Sequence, residues 1–405
     1  MKTLLACADC GRVQHVPAAT LQSVPECACC GHEFEPTLPG DLDHALAWTV
    51  AALLLLLPPF LSPLMTVTSF GIYRHDWLPS GVEAMWADGY GELAVLIFLF
   101  SIAFPFLYLL LMAFVIERLR RGVLDHVGQV YRYAAWLRPW PMLEVFLVGG
   151  CVAYSRLGAV GAVDVDMGGW CLIGACVAWL GMTLKLDPRM VWASLPPAPR
   201  RTVPADPIIC GSCELLLDAR DRQRRCPRCG ERVHRRKPDS LHRTLALLVT
   251  GYLLYIPANV LPILTIERFG KEDPNTILGG VHELIINGLW PLAVVVFTAS
   301  VVVPLLKLGG LTMMLIMTHL RSKRWLMGRT QLYRLIDLIG RWSNIDVFMI
   351  SLLAAMVQFG NLTTVRPKPG AIAFGAVVVI TMIASRCFDP RIMWDAAEEE
   401  VPDRR

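Results

Sequence analysis

Charge is scarce in this sequence. Asp, Glu, Lys and Arg make up 18% of the 405 residues, against about 25% in soluble domains. That scarcity argues against a soluble multidomain protein, and a net charge of +4 is too small to point to nucleic acid. Signatures of nucleotide and covalent chemistry are also absent: there is no GxxxxGK[ST] loop, HExxH, GxSxG or haem-type CxxCH. No enzyme is expected. The opening stretch MKTLLACADCGRVQHV has no apolar core of signal length and no small-residue cleavage site, so no removable signal is expected either.

What the chain has instead is apolar residues in long blocks, 55% of the total, with a mean hydropathy of +0.49. The blocks repeat. LPPFLSPLMTV at 57–67 returns as IPANVLPILTI at 256–266, RPWPMLEVF at 138–146 as GRWSNIDVF at 340–348, and DPRMVW at 187–192 as DPRIMW at 389–394. The offset is 199 residues early in each copy and 202 later, so the chain is one unit written twice in the same order. Each copy holds four apolar segments, about 44–66, 92–116, 139–160 and 168–186, then 243–265, 288–318, 342–362 and 370–388. Roughly 20 apolar residues cross a bilayer as a helix, which predicts an all-α polytopic membrane protein with eight transmembrane helices in two tandem four-helix units. Basic runs such as ERLRRG, HLRSKRWLMGR and VHRRK follow alternate segments and place those loops, both termini and the cysteine-rich segments in the cytoplasm. The expected domains are 1–40, 41–195, 196–238 and 239–395, with a charged tail at 396–405.

Nine of the thirteen cysteines cluster just ahead of the two membrane units. CADC and CACCG supply Cys7, Cys10, Cys27 and Cys30; CGSC and CPRCG supply Cys210, Cys213, Cys226 and Cys229. Paired CxxC knuckles aim four thiolates at one centre, the pattern of a structural Zn²⁺ ribbon, with iron as the rival metal. Four thiolates leave no open coordination position, so stability or docking is the expected role. A cytoplasmic location argues against disulfides. Cys29 is spare, because register with the second copy selects Cys27 and Cys30.

Within the long uncharged run 287–318 stands one lysine, Lys307. A charge at that depth costs roughly 2.5–3.5 kcal/mol on translocon-based scales and marks a functional network by default. Ser300 lies two helical turns before it, with Pro304 between, and WSNIDVF adds Ser343 and Asp346 on one helix face. Thr381 falls midway along the last segment. Pairing Lys307 with Asp346 is the economical arrangement; snorkelling of each to an interface is the bland alternative. The first copy has Tyr108 and Glu144 at the matching positions, so the charged pair belongs to the second copy alone.

The two ribbons, IPANVLPILTI, VVVPLLKLGG, WSNIDVF and the two DPR..W closings resemble the paraquat-inducible protein A family of Gram-negative inner membranes. The resemblance covers nearly the whole chain. It implies tetraspanin-like membrane units with short extracytoplasmic strands, and a role beside a periplasmic MCE-domain protein in moving phospholipid between membranes. It also implies that Ser300, Lys307, Ser343, Asp346 and Thr381 form the polar set of the second unit. A stand-alone secondary transporter of small amphiphiles or ions and a zinc-ribbon redox or stress sensor are the other readings of the residues.

Overall fold

A computed structural model describes residues 3–16, 24–34, 41–69, 71–158, 161–197, 204–221, 224–268, 271–286, 288–340, 344–357 and 363–398. The side chains of Thr3, Ser69, Arg156, Asp221, Arg268, Lys271, Asp346, Thr363 and Glu398 fall outside this set. The chain opens with a small hairpin, β1 (Thr3–Ala6) against β2 (Val13–Val16). Asp41 then starts the first long helix by accepting the amide hydrogens of Asp43 and His44, which satisfies two donors that a helix start leaves open. This helix, α1 (Leu42–Leu55), meets Pro58 and gives way to the single turn α2 (Pro58–Leu61). Strands β3 (Met65–Ser69) and β4 (Ile72–Asp76) follow, then α3 (Ser80–Ala87).

Next comes one 30-residue span, Gly91–Arg120, in which α4 (Gly91–Phe98) and α5 (Phe104–Arg120) are joined by a π-helical turn, Leu99–Ala103. The amphipathic α6 (Val127–Leu137) leads to α7 (Leu143–Leu157), β5 (Ala162–Val165), α8 (Met167–Lys185) and the short α9 (Pro188–Ala193). A second hairpin, β6 (Pro207–Ile209) and β7 (Leu216–Asp218), opens the other half.

The C-terminal copy repeats the plan. It runs through α10 (Ser240–Val260), β8 (Leu264–Arg268), β9 (Lys271–Asn275), α11 (Ile277–Ile286) and α12 (Trp290–Phe297). A second π-helical turn, Thr298–Val302, precedes α13 (Val303–His319). Then come α14 (Leu326–Ile339), α15 (Ile345–Met356), β10 (Thr363–Pro367), α16 (Pro369–Cys387) and α17 (Arg391–Glu398). Each copy builds one three-stranded antiparallel sheet, β4-β3-β5 and β10-β8-β9. Registers correspond: Met65 faces Asp76 and Val165, as Leu264 faces Asn275 and Pro367.

The protein is a multi-pass membrane protein. Five described helical spans are long and apolar enough to cross a bilayer: Leu42–Leu61, Gly91–Arg120, Met167–Lys185, Trp290–His319 and Pro369–Cys387. The third segment of each copy is shorter than its apolar run of sequence: α7 has 15 residues and α15 has 12. These two helices pack on each other at the boundary between the copies. Phe146 and Phe348 meet edge to face there, with centroids 5.5 Å apart. The Asn344 Nδ2 donates to Met142 Sδ at 2.8 Å. Each of these pairs joins a residue to its own counterpart in the other copy, 202 positions away, which happens only beside a two-fold axis.

Candidate functional site

Three places concentrate chemistry: two four-cysteine clusters at one end of the molecule and the surroundings of Lys307 inside it. In the N-terminal cysteine module, Gly11 and Gly31 each follow a CxxC knuckle with positive φ, +79° and +64°, a conformation that favours glycine and turns each knuckle back on itself. The Sγ atoms of Cys7, Cys10, Cys27 and Cys30 all lie within 4.8 Å of one another and are buried. Cys210, Cys213, Cys226 and Cys229 do the same. The closest Sγ–Sγ separations are 3.4–3.6 Å. That is far beyond a disulfide bond of about 2.05 Å. It approaches the roughly 3.8 Å edge of a tetrahedron with metal–sulfur bonds of about 2.3 Å. Either cluster could hold one tetrahedral metal ion. Cys29 stands outside the first cluster and is half-buried.

The modules dock crosswise, a relation the sequence reading did not foresee. The first module precedes the N-terminal copy yet sits on the C-terminal one: Arg334 of α14 reaches Asp9 at 2.6 Å and approaches Cys30 Sγ at 3.8 Å. Asp9 also holds His32, at 3.0 Å. Burial pushes the Asp9 carboxyl up, but the His32 hydrogen bond and the charges of His32 and Arg334 outweigh it and keep Asp9 ionised below its usual range. The second module sits on the N-terminal copy, where Arg132 of α6 pairs with Glu231 at 3.3 Å. Arg132 and Arg334 are repeat counterparts, each following a tyrosine in the pair YR, and that shared dipeptide was the available signal. Between the modules, Leu4 and Ala6 pack on Ile209 and Leu216.

The second DPR closing fastens the linker after the second module. Asp389 receives the Arg391 guanidinium through two 2.9 Å bonds and the Lys237 amide at 3.0 Å. Burial raises the Asp389 pKa, yet Arg391 and Lys237 together bring it below the ordinary value.

Lys307 sits in the middle of the 30-residue span Trp290–His319 and is fully enclosed. Its Nζ donates to the Gly340 carbonyl at 2.6 Å and to Thr381 Oγ1 at 3.4 Å. Gly340 caps the C-terminus of α14, where the helix dipole is negative and suits an ammonium. A Cβ on Gly340 would lie 3.3 Å from Lys307 Cε, so the glycine makes room for the amine. Among the described residues, Asp337 of α14 is the carboxylate whose charge acts on Lys307.

Ser300 is buried but gives its hydroxyl to the Val296 carbonyl at 2.7 Å, so it is not bonded to Lys307. It belongs to the π-helical turn, whose extra residue per turn breaks the simple seven-residue spacing between the two. Pro304 explains the turn: it lacks the N–H that would bond Ser300 and its ring crowds that carbonyl. Ser101 and Pro105 repeat this in the first copy, with Ser101 bonding the Ile97 carbonyl at 2.7 Å. The residue Ser343 and the side chain of Asp346 lie outside the described residues, although the backbone of Asp346 is in α15.

The counterparts of the Lys307 contacts also meet one another. Tyr108, Trp179 and Arg138 stand where Lys307, Thr381 and Gly340 stand in the second copy. Tyr108 and Trp179 have ring centroids 4.9 Å apart, and the Arg138 charge acts on Tyr108. The same three positions converge twice, once around an amine and once around an aromatic pair.

Fold and site thus define a polytopic membrane protein of two related copies, tied together at one end by paired four-thiol modules. A family model described as Paraquat-inducible protein A matches residues 42–196 and 241–398, and the chain belongs to that family. It is 32% identical over 98% of its length to "Intermembrane transport protein PqiA" of Escherichia coli (strain K12), covering 96% of that protein. It is 27% identical over 97% of its length to "Lipophilic envelope-spanning tunnel protein A" of the same organism, covering 91% of it. A Haemophilus influenzae relative, "Probable intermembrane transport protein", is 26% identical over 98% of this chain and 97% of its own. No solved structure matches.

Proposed function

We propose that this protein is the inner-membrane subunit of an intermembrane lipid transport system. It crosses a Gram-negative inner membrane eight times, with its termini and zinc ribbons in the cytoplasm. It delivers phospholipid to, or receives it from, a periplasmic MCE-domain partner. The names of its relatives support transport between membranes. The observation that carries the reading is Lys307, an amine enclosed at mid-span and held, among the described residues, by a glycine carbonyl and a threonine hydroxyl. Such a group is costly for packing alone. In this reading Lys307, Thr381, Ser300, Ser343 and Asp346 form the polar set that couples a change of protonation or pairing to helix movement. The π-helical turn before Lys307 is the natural place for that movement.

Each four-thiol cluster holds a structural Zn²⁺, which supplies rigidity to a module of two short strands. The Arg334 and Arg132 contacts then transmit that rigidity to the membrane helices.

Lys307→Ala and Asp346→Asn, expressed at normal levels, are expected to fail to complement an envelope-defect strain. Full complementation by both would overturn the polar coupling. Co-purification of a periplasmic MCE-domain protein from mild detergent tests the partner, and its consistent absence across detergents would favour a transporter acting alone.

A further inference from the structure

The N-terminal copy has a cavity where the C-terminal copy buries its lysine. It measures about 250 Å³ and lies between α5, α6, the end of α8 and the second cysteine module. Tyr108 and Tyr131 line it, each only 5% exposed. Among the described residues no hydrogen bond engages either hydroxyl, and both tyrosines border the cavity. Two phenolic hydroxyls on one cavity can each donate to a ligand with acceptor oxygens.

Charge points the same way. Arg138 lines the cavity, its side chain makes no ion pair or hydrogen bond with the described residues, and its charge acts on both phenols. Arg189 adds a second guanidinium to the lining, while Met112 and Met182 make it apolar on the membrane side. The last turns of α8 carry Leu180 and Leu184, 57% and 73% exposed, so the cavity adjoins a face that meets acyl chains. Glu214 also lines the cavity, and a carboxylate there disfavours a free dianion more than a singly charged diester.

We propose that this cavity is a binding site for the phosphodiester headgroup of a phospholipid from the adjacent leaflet. Arg138 and the Tyr108 and Tyr131 hydroxyls contact the phosphate oxygens, and the acyl chains lie along α8. The site belongs to the copy that lacks Lys307, and occupancy there requires no movement at Lys307. It deepens the transport reading but does not depend on the coupling mechanism.

Native mass spectrometry of the full-length protein in detergent, titrated with dioctanoyl phosphatidylglycerol, tests it. The conservative variants Tyr108→Phe and Tyr131→Phe keep the rings and remove only the hydroxyls; Arg138→Gln removes the charge. A hydrogen bond to a charged group contributes about 1.5–3 kcal/mol, so affinity is expected to fall about tenfold or more in Arg138→Gln and by several-fold in each tyrosine variant. Dioctanoylglycerol, which has no phosphate, is expected to bind at least tenfold more weakly.

Unchanged affinity in Arg138→Gln and in both tyrosine variants would overturn the site. Equal binding of dioctanoylglycerol would overturn the headgroup assignment. Displacement of the lipid by inorganic phosphate at equal concentration would show a free-phosphate site and overturn the lipid one. Lys307→Ala is expected to leave these affinities unchanged, so the binding result and the complementation result stand apart.

Discussion

Arg334 and Asp9 lie 325 residues apart in the chain and 2.6 Å apart in the fold. This contact closes the molecule, because it fixes the first four-thiol module to the helix α14 whose far end holds Lys307. The pair is partly exposed, and the loss expected from Arg334→Ala is about 1–2 kcal/mol, because Asp9 is left with His32 as its remaining charged partner. Amide hydrogens in residues 3–16 should exchange faster while those of α1 do not change. Uniform exchange across both regions would show that the contact holds nothing.

On the other side Gly128 gives a sharper version of the same test. A Cβ there would fall 2.1 Å from the Arg228 carbonyl oxygen, a clash with backbone that no rotamer relieves. Gly128→Ala should displace the second module or cost about 1–3 kcal/mol in strain. Faster proteolysis within 204–234, with the membrane helices intact, is the expected readout. Cleavage at the wild-type rate would mean the modules are not held by this contact.

Metal content separates the nine clustered cysteines. Purified protein should contain two metal ions per chain, Cys27→Ser and Cys210→Ser one each, and Cys29→Ser still two, measured by inductively coupled plasma mass spectrometry. Loss of an ion in Cys29→Ser would assign the first site a different ligand set.

Asp76 is a buried acid, and among the described residues no hydrogen bond of good geometry reaches either oxygen. Burial raises its pKa to about 8, only slightly offset by the nearby Ser80 hydroxyl. The sign follows from linkage: the folded state holds a proton that the unfolded state releases near pH 3.8, so this group makes stability fall as pH rises from about 4 to about 8. Its repeat counterpart is Asn275, which carries no charge. Asp76→Asn should therefore raise stability by about 2 kcal/mol or more at pH 8.5 and change it little at pH 4. Thermal unfolding at the two pH values checks this, and an equal shift at both would exclude titration of Asp76 as the cause.

The chain order of residues determined the duplication, the long apolar spans and the grouping of cysteines, because each is a local pattern: a period, a run length or a CxxC spacing. It also singled out Lys307, since a lone charge in a 30-residue apolar span is visible without any fold. Its neighbours were not legible in the same way. Gly340 carries no polar side chain, and nothing local marks a carbonyl as the acceptor for an amine 33 positions away. The π-helical turns at 99–103 and 298–302 likewise follow from a proline acting on the turn before it, which a seven-residue face rule ignores. The crosswise docking of the modules, the meeting of Phe146 with Phe348 and the cavity beside Arg138 were decided by tertiary structure alone. They depend on how two similar copies turn about a shared axis, and each copy's sequence is silent about its partner.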